Sequence, residues 1–239
     1  MKKLVFGSII FLGIIASLNS LAAGDNLPNL VALPASNIRI EETNGTKLLR
    51  FSTTSWNNGR GPLELVAGDV DQTNDKQRVF QRVYTSDGSY HDEIAGDFRW
   101  HLDHNHFHLD DYARYTLQPV NAPGASDVVG SKTTFCVMDT TKINIKLPGA
   151  PKRSVYSTCG SSVQGMSVGW GDTYGYYLSG QELNITNLPD GDYDLKIEID
   201  PNNKLLETEN TVDNTSVINI RITGNSVSVI GSGPGRGNR

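Results

Sequence analysis

Apolar and polar residues alternate with a period of two through much of the chain. Tyr193, Leu195, Ile197 and Ile199 share one parity, and Asp194, Lys196 and Glu198 take the other. Successive side chains of an extended backbone point to opposite faces, so this stretch predicts a strand with one buried face. Ile218, Ile220 and Ile222 alternate in the same way against Val217, Asn219 and Arg221, predicting the final long strand. Nearer the start, Ile38–Glu42 and Lys47–Ser55 flank Asn44-Gly45, the strongest two-residue hairpin signal. Leu63–Val66 predicts a short strand, and Gln77–Thr85 another that Asp87-Gly88 turns back. The return arm is expected to lead into a histidine-rich strand running on through Tyr112 to Leu117. Thr133–Met138 and Glu182–Ile185 read as further strands. Pro119–Ser131 reads as loop, Pro148–Ser162 as turn-rich, and Gln164–Gly180 as glycine- and tyrosine-rich without helical period. No window carries a convincing helix. The prediction is an all-β fold, an antiparallel β-sandwich with long irregular loops and little helix.

The two ends and the composition narrow the setting. Lys2 and Lys3 precede an apolar run from Leu4 to Ala16, then Ser20-Leu21-Ala22. This is the layout of a secretory signal peptide over residues 1–23, with an apolar run too short for a membrane span. The mature chain is expected to be secreted, extracellular or periplasmic, with no membrane span after cleavage. Residues 24–230 read as one domain, and 231–239, lacking large apolar residues, as a disordered tail. A net charge of −5 supplies no basic surface for nucleic acid. The two cysteines, Cys136 and Cys159, suggest one disulfide in an exported chain, with metal ligation as the alternative.

Four of the five histidines fall between His101 and His108. His104, His106 and His108 alternate with Asn105, Phe107 and Leu109. On a strand this spacing puts three imidazoles on one face and apolar groups on the other. Neutral imidazole is the commonest ligand for copper, zinc and related ions, so the trio predicts a metal site. Two steps of two residues span roughly 13 Å along an extended strand, so one ion can be shared only if the strand twists or bulges. His101 has the opposite parity and is expected before the strand, as a fourth ligand or a supporting group.

The run Trp100-His101-x-x-His104-x-His106-x-His108 resembles the copper-binding signature of the lysyl oxidase family. Lys132-Thr133-Thr134-Phe135-Cys136-Val137-Met138-Asp139-Thr140 is similar to the block that carries that family's cofactor lysine. Gln164-Gly165-Met166-Ser167 through Asp172-Thr173-Tyr174 is similar to the block that carries its cofactor tyrosine. The resemblance covers roughly Leu48 to Ile222 and implies that residues 24–230 form a single catalytic domain. It implies copper(II) on His104, His106 and His108, with His101 an optional fourth, and a lysine tyrosylquinone made from Lys132 and Tyr174. The implied activity is oxidative deamination of primary amines, free or on lysine-containing peptides or proteins. Dioxygen is the acceptor, and aldehyde, ammonia and hydrogen peroxide are released. A carboxylate must take the α-proton, and Asp172 and Asp139 are the candidates from their blocks; a structural hydrogen-bonding role is open to either. Departures are visible: Asp103 stands where animal members carry a cysteine, and one disulfide at most replaces several. They imply a reduced, microbial version of the family.

A competing reading is a non-enzymatic exported β-sandwich that binds copper or zinc, since three imidazoles suit both ions. The two readings differ over Lys132 and Tyr174. An oxidase brings these residues close to each other and to the histidines, and a simple metal binder has no need to.

Overall fold

The computed structural model describes residues 24–74, 76–102, 105–208 and 212–232. In chain order its strands are β1 (Asp25–Asn26), β2 (Leu30–Ala32), β3 (Ser36–Thr43), β4 (Thr46–Asn57), β5 (Leu63–Asp71), β6 (Lys76–Thr85), β7 (Tyr90–His101), β8 (His106–Leu109) and β9 (Ala113–Asn121). They continue with β10 (Val128–Val129), β11 (Thr141–Lys142), β12 (Val163–Met166), β13 (Trp170–Tyr174), β14 (Glu182–Asn184), β15 (Gly191–Ile199), β16 (Thr215–Thr223) and β17 (Ser226–Ser232). The helical content of the described residues is one 3-10 turn, Val212–Asn214.

The strands form three sheets. The first runs β12-β5-β6-β7-β8 with β1 on β6, the second β10-β9-β15-β16-β17, and the third β11-β13-β4-β14 with β2 and β3 on β4. Neighbours pair antiparallel, as in β6 with β7 and β15 with β16. This is the all-β, antiparallel, sandwich-like architecture that the alternation predicts. One continuous apolar cluster joins the sheets through Leu49 and Phe51 of β4, Leu65 of β5, Phe98 of β7, Leu117 of β9 and Ile197 of β15. Each such side chain contributes about 1.5–3 kcal/mol by leaving water.

Local chemistry explains the best-defined elements. Asn44 and Gly45 both take positive φ, 52° and 75°, which a tight two-residue hairpin between right-twisted strands requires. In β15, Tyr193, Leu195, Ile197 and Ile199 are buried while the residues between them are partly exposed. Ile218, Ile220 and Ile222 are buried likewise in β16.

Other elements depart from expectation. The histidine strand does not run on to Leu117. Strand β8 stops at Leu109, Asp111 turns the chain at φ 58°, and β9 leaves for the second sheet. Aspartate tolerates this left-handed conformation better than most residues. Strand β9 extends to Asn121, and β10 forms inside the expected loop. Thr133–Met138 is extended without joining a ladder, with an isolated bridge between Phe135 and Leu109. Strand β13 and all of β12 but Val163 form within Gln164–Gly180, and β17 follows β16. Gly231 and Ser232, expected to open a disordered tail, instead close β17. Residues 1–23, the expected signal peptide, and 233–239 lie outside the described residues. Among the described residues no helix is long and apolar enough to cross a membrane.

Candidate metal and cofactor site

The histidines sit on a hairpin. Strand β7 ends at His101 and β8 begins at His106, and these two are register partners. Asn105, at φ 53°, closes the turn and donates its N–H to the His101 carbonyl at 2.8 Å. Trp100 and Phe107, partners in the next position, meet edge to face at 5.0 Å. They cover one side of the hairpin and leave the imidazoles to the other. His106 and His108 share that side, with ring centroids 4.7 Å apart and Nε2 atoms 2.8 Å apart. The His101 ring lies 4.7 Å from that of His108. His104 lies outside the described residues. Among the described residues no group of three or more His, Cys, Asp or Glu side chains is gathered to hold an ion.

The donor chemistry fits a late first-row metal. His108 is fully buried, and its Nδ1 lies 3.0 Å from Thr134 Oγ1. A ring whose Nδ1–H donates to that hydroxyl presents the Nε2 lone pair, which is how supporting groups orient ligating histidines. Ligand nitrogens sit about 2.0–2.1 Å from a zinc or similar ion. Two of them at a right angle are then about 2.8–3.0 Å apart, which matches the His106–His108 spacing. The same spacing suits an imidazole–imidazole hydrogen bond, so the pair is compatible with a metal without requiring one.

Thr134 also belongs to the segment that carries Lys132. Phe135 exchanges backbone hydrogen bonds with Leu109, at 3.1 and 2.7 Å, and Tyr112 N–H donates to the Thr133 carbonyl at 2.9 Å. The Lys132 block therefore runs beside the histidine strand. The disulfide Cys136–Cys159 forms as the cysteine count predicts. Gln164, fully buried, joins the parts: its Oε1 accepts from Val137 N–H at 3.1 Å, and its Nε2 donates to the Phe107 carbonyl at 2.8 Å.

Lys132 and Tyr174 meet at Phe135. The Lys132 ammonium lies 5.0 Å from the Phe135 ring centroid and 5.5 Å from that of Tyr174. The Tyr174 and Phe135 rings meet edge to face at 4.9 Å, and the Tyr174 hydroxyl donates to the Cys136 carbonyl at 2.7 Å. Burial pushes the Lys132 ammonium below the ordinary lysine range, and Glu182 opposes this. Burial also holds the Tyr174 phenol well above its ordinary range, and the nearby Asp172 adds to the effect. The Lys132 stem lies over Gly180, whose φ is +81° and where a Cβ would come within 2.5 Å of Lys132 Cδ.

The two carboxyl groups differ sharply. Asp139 accepts four hydrogen bonds: from Val155 N–H (2.9 Å), Tyr156 N–H (3.2 Å), Ser167 N–H (2.7 Å) and the Ser167 hydroxyl (2.7 Å). Asp172, on β13 at the same parity as Tyr174, accepts two longer ones, from Met138 N–H (3.4 Å) and the Thr140 hydroxyl (3.3 Å). Burial pushes the Asp172 carboxyl well above the usual range, and the charge of Asp139 adds to that. Raised carboxyls near reacting groups are suited to proton transfer at neutral pH. Periodicity and composition do not mark out Thr134, Gln164 or Gly180. A lone polar residue or glycine carries no periodic signal, and their roles come from contacts far along the chain.

The fold and site together define an all-β protein with a paired-imidazole hairpin beside a lysine–tyrosine pair. The lysyl oxidase family model matches residues 77–232, and the chain belongs to the lysyl oxidase family. It is similar to human lysyl oxidase homolog 1, 35% identical over 132 residues that cover 55% of this chain and 21% of that protein. Human protein-lysine 6-oxidase is 32% identical over 128 residues, 53% of this chain and 28% of the relative. Mouse lysyl oxidase homolog 4 is 28% identical over 164 residues, 68% of this chain and 17% of the relative. The match thus spans between 17% and 28% of these relatives' lengths.

Proposed function

We propose that this chain is an exported copper-dependent amine oxidase. It would convert a primary amine, free or on a lysine-containing peptide or protein, with dioxygen and water into aldehyde, ammonia and hydrogen peroxide. The observation that carries this reading is the approach of Lys132 Nζ to within 5.5 Å of the Tyr174 ring centroid, in the segment tied to the histidine strand through Thr134. The protein-lysine 6-oxidase relationship supports the same reaction class.

His106 and His108 would hold copper, with His104 as third ligand and His101 beside them. A lysine tyrosylquinone made from Lys132 and Tyr174 would supply the two-electron redox chemistry between amine and dioxygen. The residues supply the rest. Lys132 must be a neutral amine to bond to the oxidised Tyr174 ring, and burial disfavours its ammonium form. Gly180 leaves room for the lysine stem. The Cys136 carbonyl holds the phenol of Tyr174 before its oxidation. Asp172, in its ionised form, would take the α-proton of the substrate, since it sits two residues from Tyr174 and is loosely hydrogen-bonded. Asp139 fixes the surrounding backbone, since its four bonds occupy both oxygens.

The test is amine-dependent oxygen uptake with peroxide release by the copper-loaded protein. Activity should vanish in Tyr174→Phe and Lys132→Ala. Asp172→Asn should lower kcat by about 10²-fold or more while leaving the cross-link in place. No uptake with any primary amine would remove the proposal.

A further inference from the structure

A concavity lies outside the histidine, lysine and tyrosine cluster. A cavity of about 280 Å³ is lined by Pro62, Glu64, Tyr84, Val155, Tyr156 and Val168. Its walls have identifiable causes. Gly165 of β12 is the register partner of Glu64 in β5. An added Cβ at Gly165 would lie 3.0 Å from the Tyr156 ring, so glycine lets that ring rest against the strand. Asp139 ties the Val155–Tyr156 wall to Ser167, which also lines the cavity.

Glu64 is the negative charge of this cavity. The Tyr84 hydroxyl donates to one of its oxygens at 2.9 Å, and the Tyr156 hydroxyl to the other at 2.7 Å. Burial and Glu64 itself push both phenols up, so they stay protonated and keep donating. Each carboxylate oxygen still has acceptor capacity. Among the described residues Glu64 forms no ion pair. Arg82, its register partner on β6, is held by Asp92 through two bonds, 2.9 and 2.8 Å, and lies over the Tyr90 ring. The cavity thus offers a fixed anion, two phenol rings and an apolar wall, and no basic side chain lines it.

We propose that this cavity binds a primary alkylammonium group, free or at the end of a lysine side chain. The ammonium takes the remaining lone pairs of Glu64, and phenol rings attract cations. The alkyl stem rests on Pro62, Val155 and Val168. A divalent ion, which wants about six oxygens, finds one carboxylate whose oxygens already accept from phenols. Drug-sized ligands occupy pockets of about 300–1,000 Å³, so this volume suits one small alkyl chain. In an oxidase of lysine-containing substrates, the site would dock a second lysine of the same substrate.

The experiment uses the full chain carrying Tyr174→Phe, without added metal, so that no quinone forms and the result is independent of the oxidase reading. Titration with n-butylammonium chloride is followed by calorimetry and by NMR of the tyrosine rings. Expected is saturable millimolar binding with shifts at Tyr84 and Tyr156, and no binding of n-butanol or butyrate. Glu64→Gln should weaken binding about tenfold or more, which is about 1.4 kcal/mol. Val155→Trp, at an exposed lining position, should weaken it comparably by filling the mouth without touching the carboxyl, and it serves if Glu64→Gln does not fold. Binding unchanged in both variants, equal binding of n-butanol, or no saturation at millimolar concentration would each overturn the proposal.

Discussion

Strands β15 and β16 and the chain from Lys132 to Gly180 are built on opposite principles. The strand pair runs in continuous register from Gly191 against Ile222 to Glu198 against Thr215, with alternate residues buried. Its backbone bonds are made within the ladder, so most of its side chains are free to vary within a burial class. The Lys132–Gly180 chain has only the short strands β11, β12 and β13. Its shape comes from polar side chains gripping distant backbone: buried Asp139 across to Ser167, buried Gln164 across to Phe107, and Thr140 against β13. A ladder tolerates substitution because many weak, similar contacts share the load. A segment shaped by single side chains that each reach a different part of the chain depends on a few contacts that have no substitutes.

Mutation should expose this difference, and the largest effect is expected at Asp139. Asp139→Ala strands two buried backbone N–H groups, one part-buried N–H and one hydroxyl. Each unsatisfied group costs about 1–3 kcal/mol, partly relieved by water. A loss of about 4 kcal/mol in chemical denaturation is expected; a loss no larger than that of a surface substitution would erase the contrast. Gly180→Ala comes next. Its positive φ and the close approach of Lys132 predict about 1–2 kcal/mol of strain and a lower yield of the Lys132–Tyr174 bond. In a Lys132→Ala background the stability loss should shrink to the backbone part alone.

Asp172→Asn is a subtler test, read through pH. Burial holds the folded carboxyl above the ordinary aspartate value of about 3.9. The folded chain keeps a proton there that the unfolded chain releases. That contribution is therefore full below the unfolded pKa and is lost as pH rises through the folded one. Thermal melts across this range should show a flatter stability–pH profile in the variant. The smallest effect belongs to the ladder: Lys196→Ala removes a partly exposed pair with Glu198 and should change stability by under about 0.5 kcal/mol.

The same contrast decides what the sequence discloses. Strands β15 and β16 are legible because burial of one face imposes a period of two, and the β3–β4 hairpin because two consecutive left-handed residues need Asn-Gly chemistry. The histidine motif is legible as chemistry, since four imidazoles so close together in a histidine-poor chain have few structural uses. Its geometry is not. The break at Asp111 follows from how the second sheet receives β9, a tertiary matter that the alternation of His106, His108 and their neighbours does not encode. Lys132 and Tyr174 are picked out by family resemblance, since composition alone cannot choose among the nearby tyrosines. Asp139 and Asp172 look equivalent in sequence, and only their hydrogen bonds separate a backbone clamp from a loosely held carboxyl.

Peptide mass spectrometry of the copper-loaded, air-exposed protein probes the central claim most directly. Covalent union of Lys132 with an oxidised Tyr174 should appear as a single cross-linked peptide pair, absent from metal-free protein and from Tyr174→Phe. Recovery of both residues as separate, unmodified peptides after full copper loading would contradict it.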